Sequence, residues 1–170
     1  LMAVEELKIE NTYYKFNFND YLFLVLDSTF CLDNYDYCGK IDDEQFQWIK
    51  DTLAANLGIP KIIISHIPLF SAVLIEDNYP SKDGRIISKY QAHSDSAKLH
   101  RLFLENNVKL CLSGHTHIND YIKYRGTEYI SCGAICGNWW SDTIYRGTRS
   151  GFLLIDFDNS DYSCNYINFE

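Results

Sequence analysis

Along the 170-residue chain the spacing of hydrophobic and polar positions changes period several times. Tyr13 to Phe18 reads Tyr-Tyr-Lys-Phe-Asn-Phe, alternates in its second half, and predicts a half-exposed strand. After a turn at Asn19-Asp20, the run from Tyr21 to Asp27 is almost continuously apolar and predicts a strand buried on both faces. From Ile41 the period becomes helical: Phe46, Ile49, Leu53 and Leu57 recur every three or four residues, with Asp42 as N-cap and Gln45 three residues later. Gly58-Ile59-Pro60 closes that helix, and Lys61 to Ser65 predicts a third, buried strand. A polar stretch from Asp77 to His93, containing Pro80 and Gly84, reads as a long surface loop. A second helix opens near Ser94-Asp95-Ser96, carries Leu99, Leu102 and Phe103 on one face and ends at Asn106-Asn107, where strand Val108 to Leu112 begins. This alternation of strands and helices builds parallel sheets with right-handed crossovers. Beyond His117, shorter strands near Tyr121–Tyr124, Glu128–Cys132, Gly151–Phe157 and Tyr162–Phe169 predict a mainly antiparallel meander. No repeat or linker interrupts the pattern, so the predicted fold class is α/β: one domain over residues 1–170, with a partly parallel β-sheet and flanking helices followed by the meander.

Composition narrows the function classes. At 46% hydrophobic the chain can bury a sizeable core without staples. Its 15 basic and 23 acidic residues give a net charge of -8, with no lysine or arginine cluster able to follow a phosphate backbone, so charge offers nothing to nucleic acid. No segment approaches the roughly 18 consecutive apolar residues of a membrane-spanning helix. The six cysteines match no secreted disulfide scaffold and are expected to be mostly reduced. Cys111, in an apolar strand, is expected to act as a small hydrophobe, and Cys132-x-x-x-Cys136 lacks the second pair of a structural zinc site. The chain has neither a Gly-x-Ser-x-Gly nucleophile elbow nor a Gly-x-Gly-x-x-Gly phosphate loop, which argues against a serine hydrolase and a dinucleotide-binding fold.

The chemistry gathers at strand ends. In open α/β sheets, ligands bind outside the carboxyl ends of the strands. His66 falls at one such end, and His115 and His117, in Ser113-Gly114-His115-Thr116-His117, fall at another. In an extended segment, residues two apart point to one side about 6.5–7 Å from each other. That span suits two ions about 3.5–4 Å apart, one imidazole on each, and Gly114 is expected to let the turn pass close to them. His93, in the polar stretch, and His100, on a helix flank, lack such a placement and are expected to be solvated.

Ser65-His66-Ile67-Pro68 after one apolar strand and Gly114-His115-Thr116-His117 after the next resemble the last two motifs of the calcineurin-like metallophosphoesterases. Gly39 to Trp48 resembles the turn into the helix between motifs in that family, and the run ending at Asp27-Ser28 the strand before it. The similarity spans roughly residues 13 to 157. It implies that the sheet is part of a metallophosphoesterase-type β-sandwich covered by helices. By the same resemblance, His66 and His115 would be ligands of the second of two divalent metal ions, His117 a ligand of the first, with manganese, iron or zinc equally suited to the ligands. The reaction implied is hydrolysis of a phosphomonoester or phosphodiester, on a small molecule or a protein, by a metal-bound hydroxide. Gly137-Asn138-Trp139-Trp140 resembles a C-terminal loop of bacterial members, and Trp139 and Trp140 are candidates to stack on an organic leaving group, with packing beneath the loop as the alternative.

Three earlier motifs of the family have no counterpart: Asp-x-His, the Gly-Asp that supplies a bridging carboxylate, and Gly-Asn-His, whose histidine assists the leaving group. The chain also opens Leu1-Met2. These features give the expectation of a C-terminal portion of a longer enzyme, without a catalytic histidine of its own and inactive alone, since three neutral imidazoles leave the repulsion between two dications uncompensated. An uncovered sheet edge would favour self-association. The competing reading is a non-catalytic binding module that keeps the fold.

Overall fold

The computed structural model describes residues 2–76, 79–81, 84–86, 88–141, 144–158 and 161–169. A short helix α1 (Met2–Leu7) precedes strands β1 (Tyr14–Phe18), β2 (Tyr21–Val25), β3 (Thr29–Cys31) and β4 (Tyr37–Gly39), and helix α2 spans Asp43–Ala54. Then come β5 (Lys61–Ile64), α3 (Val73–Glu76), β6 (Tyr79–Ser81), β7 (Gly84–Ile86), α4 (Ser96–Glu105) and β8 (Val108–Ser113). The chain closes with β9 (Asp120–Tyr124), β10 (Thr127–Ser131), β11 (Gly151–Asp158) and β12 (Asp161–Asn168).

Six strands form the central sheet in the order β1-β2-β5-β8-β10-β9. β2, β5, β8 and β10 run parallel to their neighbours, while β1 and β9 close the two edges antiparallel. The apolar runs that predict β2, β5 and β8 are continuous because both faces of these strands are covered. On one face Leu22, Leu24, Ile63 and Cys111 pack against Ile49 and Leu53 of α2 and Leu99 and Phe103 of α4. On the other, Tyr21, Phe23, Ile62, Leu110 and Ile130 meet Leu153, Ile155, Phe157 and Tyr162 of a separate hairpin, β11–β12. The sequence-predicted meander thus resolves into two hairpins in different layers, β9–β10 in the main sheet and β11–β12 stacked over it. The result is helices on one side of a sheet and a second β layer on the other.

Helix α2 starts as its sequence predicts, with the Asp42 side chain accepting the Gln45 backbone N–H at 2.7 Å. It ends at Ala54, earlier than the apolar period suggests, and Leu57 is consequently 63% exposed. The polar stretch read as one long loop contains the end of a hairpin, β6–β7, among its described residues.

His93 and His100, expected to be solvated, are both buried, at 4% and 5% exposure. His93 Nδ1 lies 3.0 Å from Asp95 Oδ1, a carboxylate that also accepts the Ile41 N–H. His100 faces the sheet because Leu99, His100 and Phe103 form the inner stripe of α4, where its Nδ1 is hydrogen-bonded to the Tyr129 hydroxyl and its ring stacks on Tyr124 at 4.9 Å. Burial, helped by the nearby charge of Arg125, holds the His100 imidazole below its ordinary pKa. The unfolded chain therefore takes up a proton near pH 6.5 that the folded chain resists, and stability falls as pH drops below about 6.5. His100→Gln, which keeps a partner for Tyr129, is expected to flatten part of that acid slope, as read from thermal unfolding between about pH 7.5 and 5.

Candidate metal and phosphate site

His66 sits just beyond β5, in a turn held by serines. Ser28 Oγ, 2% exposed, accepts the backbone N–H groups of both His66 and Ile67 at 3.0 Å each. Ser65 Oγ donates to the Ile67 carbonyl at 3.0 Å, and the Gly114 N–H donates to the His66 carbonyl at 3.1 Å, tying the turn after β5 to the turn after β8.

The second turn is not extended. His115 and His117 both adopt left-handed backbone conformations, φ 70° and 59°, whereas Gly114 does not. The strain expected to rest on the glycine rests on the two histidines, at a cost of order 1–3 kcal/mol each that the surrounding bonds must offset. Those bonds are visible: Ser131 Oγ donates to the Gly114 carbonyl at 3.0 Å and lies 3.0 Å from Thr116 Oγ1. Strands β8 and β10, paired in parallel, thereby grip the turn from below.

The bend brings the three histidines together. His115 Nδ1 lies 3.1 Å from His66 Nε2, with ring planes at 76°. His115 Nε2 lies 2.6 Å from the Tyr90 carbonyl oxygen and His117 Nδ1 2.9 Å from the Gly137 carbonyl oxygen. Each of these nitrogens must carry the proton, because a carbonyl only accepts. That choice leaves His115 Nδ1 and His117 Nε2 as bare lone pairs. Partial desolvation and the neighbouring His115 and His117 push the His66 imidazole below its ordinary pKa, and desolvation with His117 nearby does the same for His115. His66 and His115 therefore favour the neutral, electron-donating form.

A metal-binding histidine commonly donates its second ring N–H to a carbonyl, which fixes tautomer and orientation. His115 and His117 both do so, and a 3.1 Å gap between His115 Nδ1 and His66 Nε2 is compatible with two donors to one ion at about 2.0–2.1 Å. The imidazoles thus fit as metal donors. They do not complete a site: among the described residues no group of three or more His, Cys, Asp and Glu side chains could hold a metal ion.

Beside the histidines opens a cavity of about 180 Å³ lined by Gln91, His115, Thr116, His117, Trp139 and Tyr145. The Trp139 ring lies 4.8 Å from that of His117 and is 78% exposed. Trp140 is 80% exposed and outside the cavity lining, so neither tryptophan packs beneath the loop. His93 and His100 lie apart, in the core. Sequence reasoning missed Ser28, the Tyr90 and Gly137 carbonyls and Ser131. Of these only Ser28 carried a signal, its position at the carboxyl end of an apolar strand.

Comparison with known proteins identifies the family. The family model for calcineurin-like phosphoesterases matches residues 5–119, and the chain belongs to that family. The family implies divalent metal ions as cofactors. Among curated proteins, the serine/threonine-protein phosphatase CPPED1 of Homo sapiens is 31% identical over 126 residues, covering 72% of this chain, and that of Pongo abelii is 32% identical over the same length and share. The chain spans 38% of the length of these relatives. Among solved structures, GAP50, described as the anchor in the inner membrane complex of Plasmodium, superposes with a TM-score of 0.61 at 17% identity, over 94% of this chain and 51% of that one. Purple acid phosphatase PPD1 from yellow lupin gives 0.57 at 16% identity, over 92% and 30% of the two chains. A dimetal phosphatase from Danio rerio gives 0.50 at 12% identity, over 71% and 49%. At these identities the structural likeness is one of fold.

Proposed function

We propose that the chain supplies the imidazole side of a metal-dependent phosphoesterase centre that hydrolyses phosphomonoesters. The observation that carries this reading is the set of three histidines with two tautomers fixed by backbone carbonyls and bare nitrogens left over, His115 Nδ1 facing His66. The phosphatase names of the curated relatives favour a monoester over a diester. His66 and His115 would hold one ion and His117 another. When bound, such ions polarise the phosphoryl oxygens and activate a water. This chain's own part is to present neutral donors at fixed angles from two adjoining turns. Among the described residues no carboxylate joins the histidines, so the 170-residue chain alone is expected to bind divalent ions weakly and to hydrolyse little.

The test is metal analysis together with p-nitrophenyl phosphate and bis(p-nitrophenyl) phosphate assays, on this chain and on any longer product of its gene. Metal-dependent monoester hydrolysis supports the reading. In the active product His115→Ala and His117→Ala are expected to lose more than about tenfold in rate, because outer-shell partners alone are worth 10–100-fold. Smaller losses from both would sink it. A second reading, a non-catalytic interaction module, is favoured by the absence of acidic donors from the histidine cluster among the described residues and by the fold it shares with an anchor protein. Coding sequence upstream of Leu1 separates the two: Asp-x-His, Gly-Asp and Gly-Asn-His in frame support the enzyme, and a start without them supports the module.

A further inference from the structure

We propose that the cavity beside His117 receives the aromatic leaving group of an aryl phosphomonoester, a substrate class of the phosphotyrosine kind; this rests on the phosphoesterase reading above. Trp139 and Tyr145 line it as aromatic residues, together with Gln91, His115, Thr116 and His117. Trp139 is the unusual member. A ring that is 78% exposed contributes little to the core, yet it is placed 4.8 Å from His117 by a backbone at φ 55° that a tryptophan rarely adopts. The turn is fixed from within, Trp140 N–H to the Cys136 carbonyl at 2.8 Å and Ser141 N–H to the Asn138 carbonyl at 3.0 Å. Indole and imidazole are thus presented side by side, the indole suited to an aromatic face and the imidazole, through its bare Nε2, to a metal ion that would hold a phosphoryl oxygen.

Size and charge agree with that division. A cavity of about 150 Å³ takes benzene, and this one measures about 180 Å³. None of the described residues that line it is acidic, although the chain carries a net charge of -8, so a phosphate dianion meets no carboxylate among them. In the reaction, the oxygen of water bonds to phosphorus and the phosphorus–oxygen bond to the aryl group breaks. The aryl oxygen leaves with the electron pair and takes up a proton released by the water, giving a phenol and inorganic phosphate. A phenol ionises near pH 10, so its oxygen departs with less need of a proton donor than the alkoxide of a serine ester.

Binding of non-hydrolysable probes tests this without any turnover. Phenylphosphonate, methylphosphonate and phenol would be titrated into the 170-residue chain with zinc in excess and followed by NMR of the indole N–H and imidazole signals. Phenylphosphonate is expected to bind roughly tenfold more tightly than methylphosphonate, the size of one good aromatic contact. Trp139→Ala is expected to bring the two within about twofold, and Trp139→Phe to restore part of the difference. Equal binding of the two phosphonates to the unaltered chain, or a phenyl advantage that survives Trp139→Ala, overturns the aryl pocket and leaves the phosphoesterase reading standing. If neither phosphonate binds more tightly than phenol, or His117→Ala leaves phosphonate binding unchanged, the phosphate is not held beside His117 and the aryl pocket falls, while the phosphoesterase reading is decided separately by the hydrolysis assays.

Discussion

Replacing Ser28 with alanine is expected to lower the free energy of unfolding by about 2–4 kcal/mol, although the change removes a single oxygen atom. That oxygen accepts two backbone N–H groups, those of His66 and Ile67, at 3.0 Å each. Ser28 is 2% exposed and Ile67 fully buried, so water has little access to replace the lost acceptor. An unsatisfied buried donor costs about 1–3 kcal/mol; the Ile67 bond is buried, and the part-buried His66 bond adds a smaller loss. For a chain of this length the loss corresponds to a fall in melting temperature of roughly 4–16 °C. The function-linked readout is the His66 imidazole. Released from its turn, it should no longer hold its Nε2 within hydrogen-bonding distance of His115 Nδ1, and NMR of the ring nitrogens would register the separation. A variant that keeps both its stability and the His66–His115 contact would show that Ser28 does not position the histidine. Ser28→Thr, which retains the hydroxyl, is expected to recover much of the loss.

The parts of the molecule legible in the sequence are those decided by local pattern. β2, β5 and β8 are apolar runs of strand length because each is covered on both faces, and α2 announces itself through Asp42 and the spacing of Ile49 and Leu53. Three histidines at two strand ends follow from the same logic, since a parallel sheet presents the carboxyl ends of its strands along one edge. What could not be read depends on partners distant in the chain. His100 looks like a polar flank of a helix until Tyr129, 29 residues later, supplies its partner. Tyr90 lies in a stretch with no pattern at all, yet its carbonyl decides the tautomer of His115. The left-handed turns at His115 and His117 likewise rest on Ser131 and Gly137 rather than on the permissive glycine between strand and histidine. The division of the last four strands into two layers is a tertiary choice: β9–β10 and β11–β12 are both hairpins, and only the covering required by Phe23, Ile62 and Leu110 sends the second above the sheet.

The site is also supported by Gly39, a glycine outside the histidine motifs. A Cβ at Gly39 would stand 2.6 Å from the Ala92 carbonyl oxygen and 2.9 Å from Ile67 Cγ2. The first is backbone, which cannot swing aside as a flexible side chain could. Gly39 is also clasped to the same segment by hydrogen bonds, its N–H to the Lys89 carbonyl at 3.0 Å and its carbonyl from the Ser94 N–H at 2.8 Å. Gly39→Ala must therefore push residues 89–94 away from β4. The expected loss of stability is about 1–3 kcal/mol, the usual range for overpacking a fitted contact. The displaced segment carries Tyr90, whose carbonyl receives the His115 ring proton, so the same substitution should free His115 to exchange tautomers. Two measurements check this: chemical denaturation for the stability change, and the nitrogen chemical shifts of His115 for the tautomer. If His115 keeps its Nε2 proton while stability falls by that amount, the Tyr90 segment is not what orients the ring. The grip would then have to come from His66 and the turn itself, and the site would tolerate changes in the 88–93 segment that the observed contacts forbid.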